Sequence, residues 1–353
     1  MNGFDKSKGV VFPRNVLLGH DVLGSVVEVC DDFRFPKTGM MITGDSTYSA
    51  AGKDIRQLME ESGYEIHVHK AGGATFSNAE KIISDMNETG SKFILAVGGG
   101  SKIDLAKIVS KETHMPFISI PTSAAHDGIS SGRASMKSDS GPVSVEAVVP
   151  MAIVADTHII SRSPYRLLAS GCADVISNLT ALMDWKFAKT LGKDDFSRSA
   201  EALSRYSAET IIENSKHIHP DSEESVWLAM RPILVSGISM SIAGSSRPTS
   251  GSEHMFSHAL DILHPGTALH GEQCGVGTIM MMYLHGGDWV KIRNALIDIG
   301  APVNAEQLNL GPDDIIDALA EAHKIKKERF TILGDRGLSR KDAEAVAKAT
   351  MVI

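Results

Sequence analysis

The stretch SRPTSGSEHMFSHALDILHPGTALHGEQCG, residues 246–275, carries His254, His258, His264 and His270. His254 and His258 are four residues apart and share one face of a helix. Pro265 and Gly266 break that helix, and a second helix beginning near His270 brings this imidazole back beside His254. Two imidazoles, a third donor and an open position make the donor set of a catalytic divalent cation such as zinc. The pattern is not HExxH, because Met255 follows His254 and the general base of a zinc protease is missing. Spacing leaves the third donor open among Glu253, Asp261, Glu272 and Asp174, with Cys274 as a thiolate alternative and His264 as a spare imidazole.

A second stretch, AVGGGSKIDLAK (96–107), follows an apolar run and opens a helical pattern. Glycines let the backbone approach an anion closely, and a helix N-terminus adds free N–H groups and the positive end of its dipole. That is a pyrophosphate cradle, although it matches neither GxGxxG nor a P-loop. Asp45, at the end of an earlier apolar run, is placed to accept hydrogen bonds from a ribose diol and to disfavour a 2′-phosphate. Ser101 and Asp104 form S-x-x-D, close to a capping box, so Asp104 reads as structural.

These residues need a scaffold. GMMITGD (39–45), YEIHVHKAG (64–72), FILAVGGG (93–100) and PFISIPTS (116–123) read as strands. NAEKIISDMNETG (78–90) and SKIDLAKIVSKET (101–113) read as helices between them. Such alternation predicts a parallel, Rossmann-like sheet covered by helices. After about Ser163 the patterns become almost wholly helical, as in FSRSAEALSRYSAETIIENSK and DDIIDALAEAHKIKKERFTIL. The reading is therefore an α/β dinucleotide-binding domain over 1–162 and an all-α metal- and substrate-binding domain over 163–353. The cleft between two such units is a common ligand site.

The bulk properties narrow the partners. At 353 residues the chain exceeds the size at which single cores stop growing. A net charge of -8 argues against a nucleic-acid surface built on bulk positive charge. Three cysteines, Cys30, Cys172 and Cys274, form no disulfide framework, which suits a reducing cytoplasm. The N-terminal MNGFDKSKGVVFPRN has no long apolar region, so no secretory leader is expected, and no apolar run approaches the roughly 18 residues of a membrane span.

Four motifs, GGGSKIDLAK, SIPTSAAHDGISSGRASM, GCADVISNLTALMDW and SEHMFSHALDIL with ALHGEQCGVGT, occur in order across most of the chain. Together they resemble the glycerol dehydrogenase branch of the iron-containing alcohol dehydrogenase and dehydroquinate synthase superfamily. The HDGISSGRAS loop and the SEHMFSHALD helix point within it to the archaeal enzymes of sn-glycerol 1-phosphate. The resemblance implies a dehydroquinate synthase-like fold and a zinc site of Asp174, His254 and His270, with His258 on the substrate side. It implies that Asp127, with Asp174, contacts the substrate. Gly98, Gly99, Gly100, Ser101 and Lys102 would hold the pyrophosphate of NAD or NADP, and Thr122, Ser123, Ala124, Ala125 and Ser131 the nicotinamide side. The implied activity is zinc-dependent reduction of dihydroxyacetone phosphate by NADH or NADPH, giving the glycerophosphate backbone of archaeal ether lipids, in a homo-oligomer.

A phosphorylated small-molecule substrate needs a cationic pocket. Arg247 with Ser246, Thr249 and Ser250, then Arg133, then the lysines of HKIKKERF, are the candidates. The competing readings are a glycerol dehydrogenase of unphosphorylated substrate, a dehydroquinate synthase-like lyase and a metal-stabilised binding module. The lyase needs a denser Lys and Arg cluster than these histidines carry nearby. Net cofactor turnover separates the dehydrogenases from the other two.

Overall fold

The computed structural model describes residues 9–138 and 141–353. The first eight residues of the stretch read for a leader lie outside the described residues. The first part contains β1 (Asn15–Gly19), α1 (Ser25–Asp32), β2 (Thr38–Thr43), α2 (Asp45–Thr47), α3 (Lys53–Glu61), β3 (Glu65–Lys70), α4 (Phe76–Thr89), β4 (Ile94–Gly98) and α5 (Gly100–Thr113). It continues with β5 (Phe117–Pro121), β6 (Arg133–Ser138), β7 (Gly141–Glu146), β8 (Ala152–Asp156) and α6 (Thr157–Ser161). Beyond lie α7 (Tyr165–Ile176), α8 (Asn178–Thr190), α9 (Arg198–Glu213), α10 (Glu223–Ala243), α11 (Ser252–Leu263), α12 (His270–Leu284), α13 (Trp289–Ile299), α14 (Pro312–Glu321) and α15 (Arg340–Ala349). No described residue after Asp156 lies in a named strand.

Six strands form one parallel sheet in the order β1-β8-β5-β4-β2-β3, and β6 and β7 pair as an antiparallel hairpin. Alternate residues of each strand serve opposite faces. Met41, Leu95, Val97 and Ile118 pack with Val26 and Val29 of α1 and Ile55 and Met59 of α3. Met40, Ile42, Ile94 and Ala96 face Ile82 of α4 and Ile103 of α5. Burial on both faces explains why these strands are unbroken apolar runs. The second face shares its core with α7, α10, α11 and α12, so the sheet and the helical part are packed as one body.

The chain runs from β2 outward to β3, then returns across β2 to β4. That reversal makes a crevice at the carboxyl ends of β2 and β4, where open α/β sheets bind ligands. Helix α7 is drawn close to it by Gly171. A Cβ there would lie 1.8 Å from the Ala124 carbonyl oxygen, in the segment after β5. Asp174 follows on the same face of α7.

Two expectations need correction. Helix α10 spans 21 residues and contains an 18-residue stretch with a mean hydropathy of 1.5, so among the described residues one helix is long and apolar enough, by length and composition, to cross a membrane. It packs against α9, α7 and α6, and its apolar character is that of a core helix. The S-x-x-D reading of Ser101 and Asp104 also fails. Gly99 is the N-cap of α5 and no side chain caps it. Asp104 instead receives the buried Lys107 ammonium at 2.9 Å and the Ser135 N–H at 3.1 Å, tying α5 to β6.

Candidate active site

The turn after β4 leaves the first N–H groups of α5 without a side-chain acceptor. Gly98 sits at φ 155°, a region open to glycine, and a Cβ there would strike Lys102 Cγ at 2.6 Å. Lys102 itself folds back, its ammonium donating to the Gly72 carbonyl and to Ser101 Oγ. Burial lowers its pKa. Asp45 begins α2 at the end of β2, with its side chain 90% exposed and 3.0 Å from the Lys70 ammonium. Thr122, Ser123 and Ala124 are buried. Ser131 Oγ donates to the Arg133 carbonyl at 3.3 Å. His126 lies over the turn, where a Cβ on Gly100 would touch its Nε2. Its Nδ1 accepts the Gly128 N–H at 2.9 Å, so the proton of a neutral ring is on Nε2.

A cleft of about 650 Å³ runs from Gly100 and Ser101 past Asp127 and Ser131 to Asp174, His254, His258 and His270. At its helical wall, α11 and α12 pack together and set the His254 and His270 rings 4.9 Å apart. Asp174 Oδ1 lies 3.6 Å from His254 Nε2 and 3.7 Å from His270 Nε2, too far for hydrogen bonds. That oxygen is buried and has no hydrogen-bond partner. Its mate, Oδ2, accepts the Asp127 N–H at 3.2 Å.

The tautomers follow from the second partners. His254 Nδ1–H donates to Glu253 Oε1 at 2.9 Å. Ser257 gives its proton to Gln273 Oε1 at 2.7 Å, so its oxygen receives His270 Nδ1–H at 3.1 Å. Both Nε2 lone pairs therefore converge on the orphan carboxylate oxygen. Three acceptors facing one point, with no hydrogen among them, fit a divalent cation. Cys274 Sγ is a fourth donor, 3.6 Å from His270 Nε2.

Electrostatics point the same way. Burial pushes the Asp174 carboxyl up to about 7, against the Asp127 N–H that lowers it. Asp127 is raised to about 7 by burial and then by Asp174, while Ser236 Oγ donates to it at 2.8 Å. His254 and His258 are held well below their usual range by burial and then by neighbouring cationic groups. Burial also lowers His270. Neutral imidazoles are the form that binds a metal. His258 stands 6.5 Å from the His254 ring and 5.8 Å from the His270 ring, its buried Nδ1 without a partner.

The other donor candidates are engaged elsewhere. Glu253 orients His254 and accepts the Thr180 hydroxyl at 2.8 Å. Asp261 accepts from Gln273, Glu272 takes a bidentate Arg166, and His264 faces Asp314 at 3.3 Å. Among the phosphate candidates, Arg247 is held by Asp194 and the Phe330 carbonyl. A side pocket of about 310 Å³ opens beside His258, lined by Arg133, Ser144, Ser246, Lys326, Glu328 and Arg329. Arg329 was not among the sequence candidates. Its guanidinium donates to the Ser250 carbonyl and, at 2.9 Å, to Ser246 Oγ. Burial, then Arg329 and Arg133, lower Lys326 to about 8, and burial, then Arg247, lowers Arg329 to about 10.

A cofactor turn facing a cation seat across one cleft serves hydride exchange between a nicotinamide and a carbonyl, the chemistry of metal-dependent alcohol dehydrogenases. Residues 17–164 match the family model of iron-containing alcohol dehydrogenase. Among solved structures, a probable glycerol dehydrogenase from Sinorhizobium meliloti superposes with a TM-score of 0.79 at 17% identity, over 98% of each chain. Sulfoacetaldehyde reductase from Bifidobacterium kashiwanohense, solved with NAD+, gives 0.77 at 13% identity, over 98% of this chain and 99% of that one. The curated relatives are nearer. Glycerol-1-phosphate dehydrogenase (NAD(P)+) of Methanosarcina mazei is 49% identical over 99% of this chain and 98% of its own. That of Methanothermobacter thermautotrophicus is 49% identical over 98% and 99%. The chain belongs to the NAD(P)-dependent glycerol-1-phosphate dehydrogenase family.

Proposed function

We propose that the protein reduces dihydroxyacetone phosphate to sn-glycerol 1-phosphate with NADH or NADPH, supplying the backbone of archaeal ether lipids. Residues 1–162 hold the dinucleotide and residues 163–353 the metal and most of the phosphorylated substrate's contacts, joined there by Asp127 and Arg133 from the first part. The observation that carries the reading is the pocket of Lys326, Arg329 and Arg133 opening directly beside His258 and the triad. A three-carbon ketone anchored there by its phosphate would present its carbonyl to the triad. The unphosphorylated substrate has no use for these cations.

Asp174, His254 and His270 would hold zinc, which when bound supplies Lewis-acid polarisation of the C2 carbonyl. Glu253 and Ser257 keep both Nε2 lone pairs pointed inward. The Asp127 carboxylate, steadied by Ser236, accepts a substrate hydroxyl. Backbone N–H groups at Gly99 to Ser101 receive the cofactor pyrophosphate, and the segment Thr122–Ala125 with Ser131 bounds the nicotinamide side. The bound nicotinamide would supply the hydride for C2, and the carbonyl oxygen would take up a proton. His258, its Nδ1 without a partner and its ring within the same cleft, would relay a proton from solvent to that oxygen through the substrate hydroxyl or a water.

The exposed Val10, Val11 and Phe12, in the segment leading into edge strand β1, and Val16 on that strand favour a homo-oligomer, and the buried free cysteines suit the cytoplasm. The test is NADH oxidation by zinc-loaded protein with dihydroxyacetone phosphate and with dihydroxyacetone, the product resolved by configuration. Equal rates with the two ketones would refute the phosphate reading. No oxidation with either would refute the dehydrogenase.

A further inference from the structure

We propose a second divalent-cation site, on the seam between the sheet and the helical part, held by His20, Asp21 and His158 with Glu223 alongside. The site is remote in kind from the cleft: none of these residues lines it. His20 and Asp21 follow β1, His158 lies in the first turn of α6, and Glu223 opens α10. The adjacent pairing of β1 with β8 is what brings the two histidines together, since α6 continues directly from β8.

One donor atom from each of His20, Asp21 and His158 lies within 4.8 Å of the other two. Glu223 bridges the imidazoles, its carboxylate 3.0 Å from His20 Nδ1 and 3.9 Å from His158 Nδ1. Asp21 stands 3.1 Å from His20 Nε2, and the two rings meet edge to face at 5.4 Å. Donors around a tetrahedral zinc stand about 3.3 Å apart, given bond lengths of about 2.0–2.2 Å. His20, 62% exposed, has Nδ1 on Glu223 and Nε2 beside Asp21, and these carboxylates raise its pKa, so a cation at either nitrogen would take the place of a proton.

Charge supplies the second argument. Asp21, Asp156 and Glu223 put three carboxylates around the two imidazoles. Asp156 spends its oxygens on the N–H groups of Leu23, His158 and Ile159. Glu223 is drawn on by the Thr157 hydroxyl as well as by His20. Among the described residues no lysine or arginine forms an ion pair with any of the three. The cluster is thus an anionic pocket equipped with imidazole nitrogens. A mixed nitrogen and oxygen set of this kind selects zinc, cobalt or nickel over magnesium or calcium. A cation there would tie the ends of β1 and β8 to the first turn of α10. That helix carries Ser236, the donor to Asp127, so the staple would steady the frame of the active site from outside it.

The test uses full-length protein stripped by chelation, dialysed against cobalt(II) and counted for bound metal per chain. The His20→Gln, His158→Gln double variant is expected to lose one cobalt per chain relative to the wild type while keeping its turnover. A cobalt count unchanged by the double substitution would overturn the proposal. A second measurement is independent of the cleft. Cobalt should raise the melting temperature of a His254→Ala, His270→Ala protein, and adding the two glutamine substitutions should abolish that rise. An equal rise with and without them would equally sink it.

Discussion

Replacing Lys326 by Met tests the phosphate pocket and its electrostatics together. Methionine keeps the apolar length of the stem and removes the charge. Lys326 lies beside Arg329, Arg133 and His258, and burial with these neighbours lowers its pKa from 10.5 to about 8. In the free protein the charged ammonium is thus a cost, and a phosphate dianion relieves it. A charge-assisted hydrogen bond contributes roughly 1.5–3 kcal/mol, so kcat/KM for dihydroxyacetone phosphate should fall roughly 10- to 100-fold. Any turnover of dihydroxyacetone should not change. The stability sign is opposite to that of a paired lysine. Because the folded pKa lies below the unfolded one, the charge opposes folding fully below pH 8. That opposition fades as pH rises from about 8 to 10.5. The variant should therefore melt no lower than the wild type at pH 7, with any advantage shrinking above pH 8. The assay is steady-state NADH oxidation with both ketones, paired with thermal melts at pH 7 and 9. Equal losses with the two substrates, or a lower melting temperature at pH 7, would refute the reasoning.

Four further outcomes are expected. His270→Ala should abolish turnover and lower bound zinc while the far-ultraviolet circular dichroism stays native; full activity in a zinc-free variant would end the metal reading. Glu253→Gln removes the carboxylate that fixes the His254 tautomer. Loss of such a partner weakens metal binding about 10- to 100-fold, measurable by chelator competition, and an unchanged affinity would deny Glu253 that role. Gly171→Ala forces a Cβ to within 1.8 Å of the Ala124 carbonyl oxygen, and since backbone must yield, the cost should reach about 3 kcal/mol in urea titration. Asp45→Ala should raise the NADPH-to-NADH preference, with Lys70 released from its ion pair to meet the 2′-phosphate; a constant ratio would remove Asp45 from the ribose pocket.

What could be read from the chain, and what could not, divides by the range of the interaction. Of the four strands foreseen between residues 39 and 123, β4 and β5 are buried along their whole length and β2 nearly so, which leaves apolar runs, whereas the edge strand β3 is only partly buried and mixes histidine and charged residues into its run. Strands β1 and β8 lie outside the strands read from the sequence, although at five residues each they are no shorter than β4 and β5. His254, His258 and the break at Pro265 and Gly266 are local features, and so is the return of the chain at His270. The choice among Glu253, Asp261, Glu272 and Asp174 is not local at all. It depends on α7 being drawn against the segment after β5 through Gly171, which aims one Asp174 oxygen at two imidazoles and leaves it no other partner. Glu253, nearest to His254 in sequence, serves the opposite ring nitrogen. The same logic undoes the capping-box reading of Asp104, where a local motif yields to the tertiary partners Lys107 and Ser135. Arg329 shows the limit most clearly. In the sequence it is one cation in a run of basic residues. Its proposed role depends on a fold that sets its guanidinium against Ser246 and the Ser250 carbonyl, in the pocket beside His258, where a charge without an anion is costly and one with an anion would select the substrate.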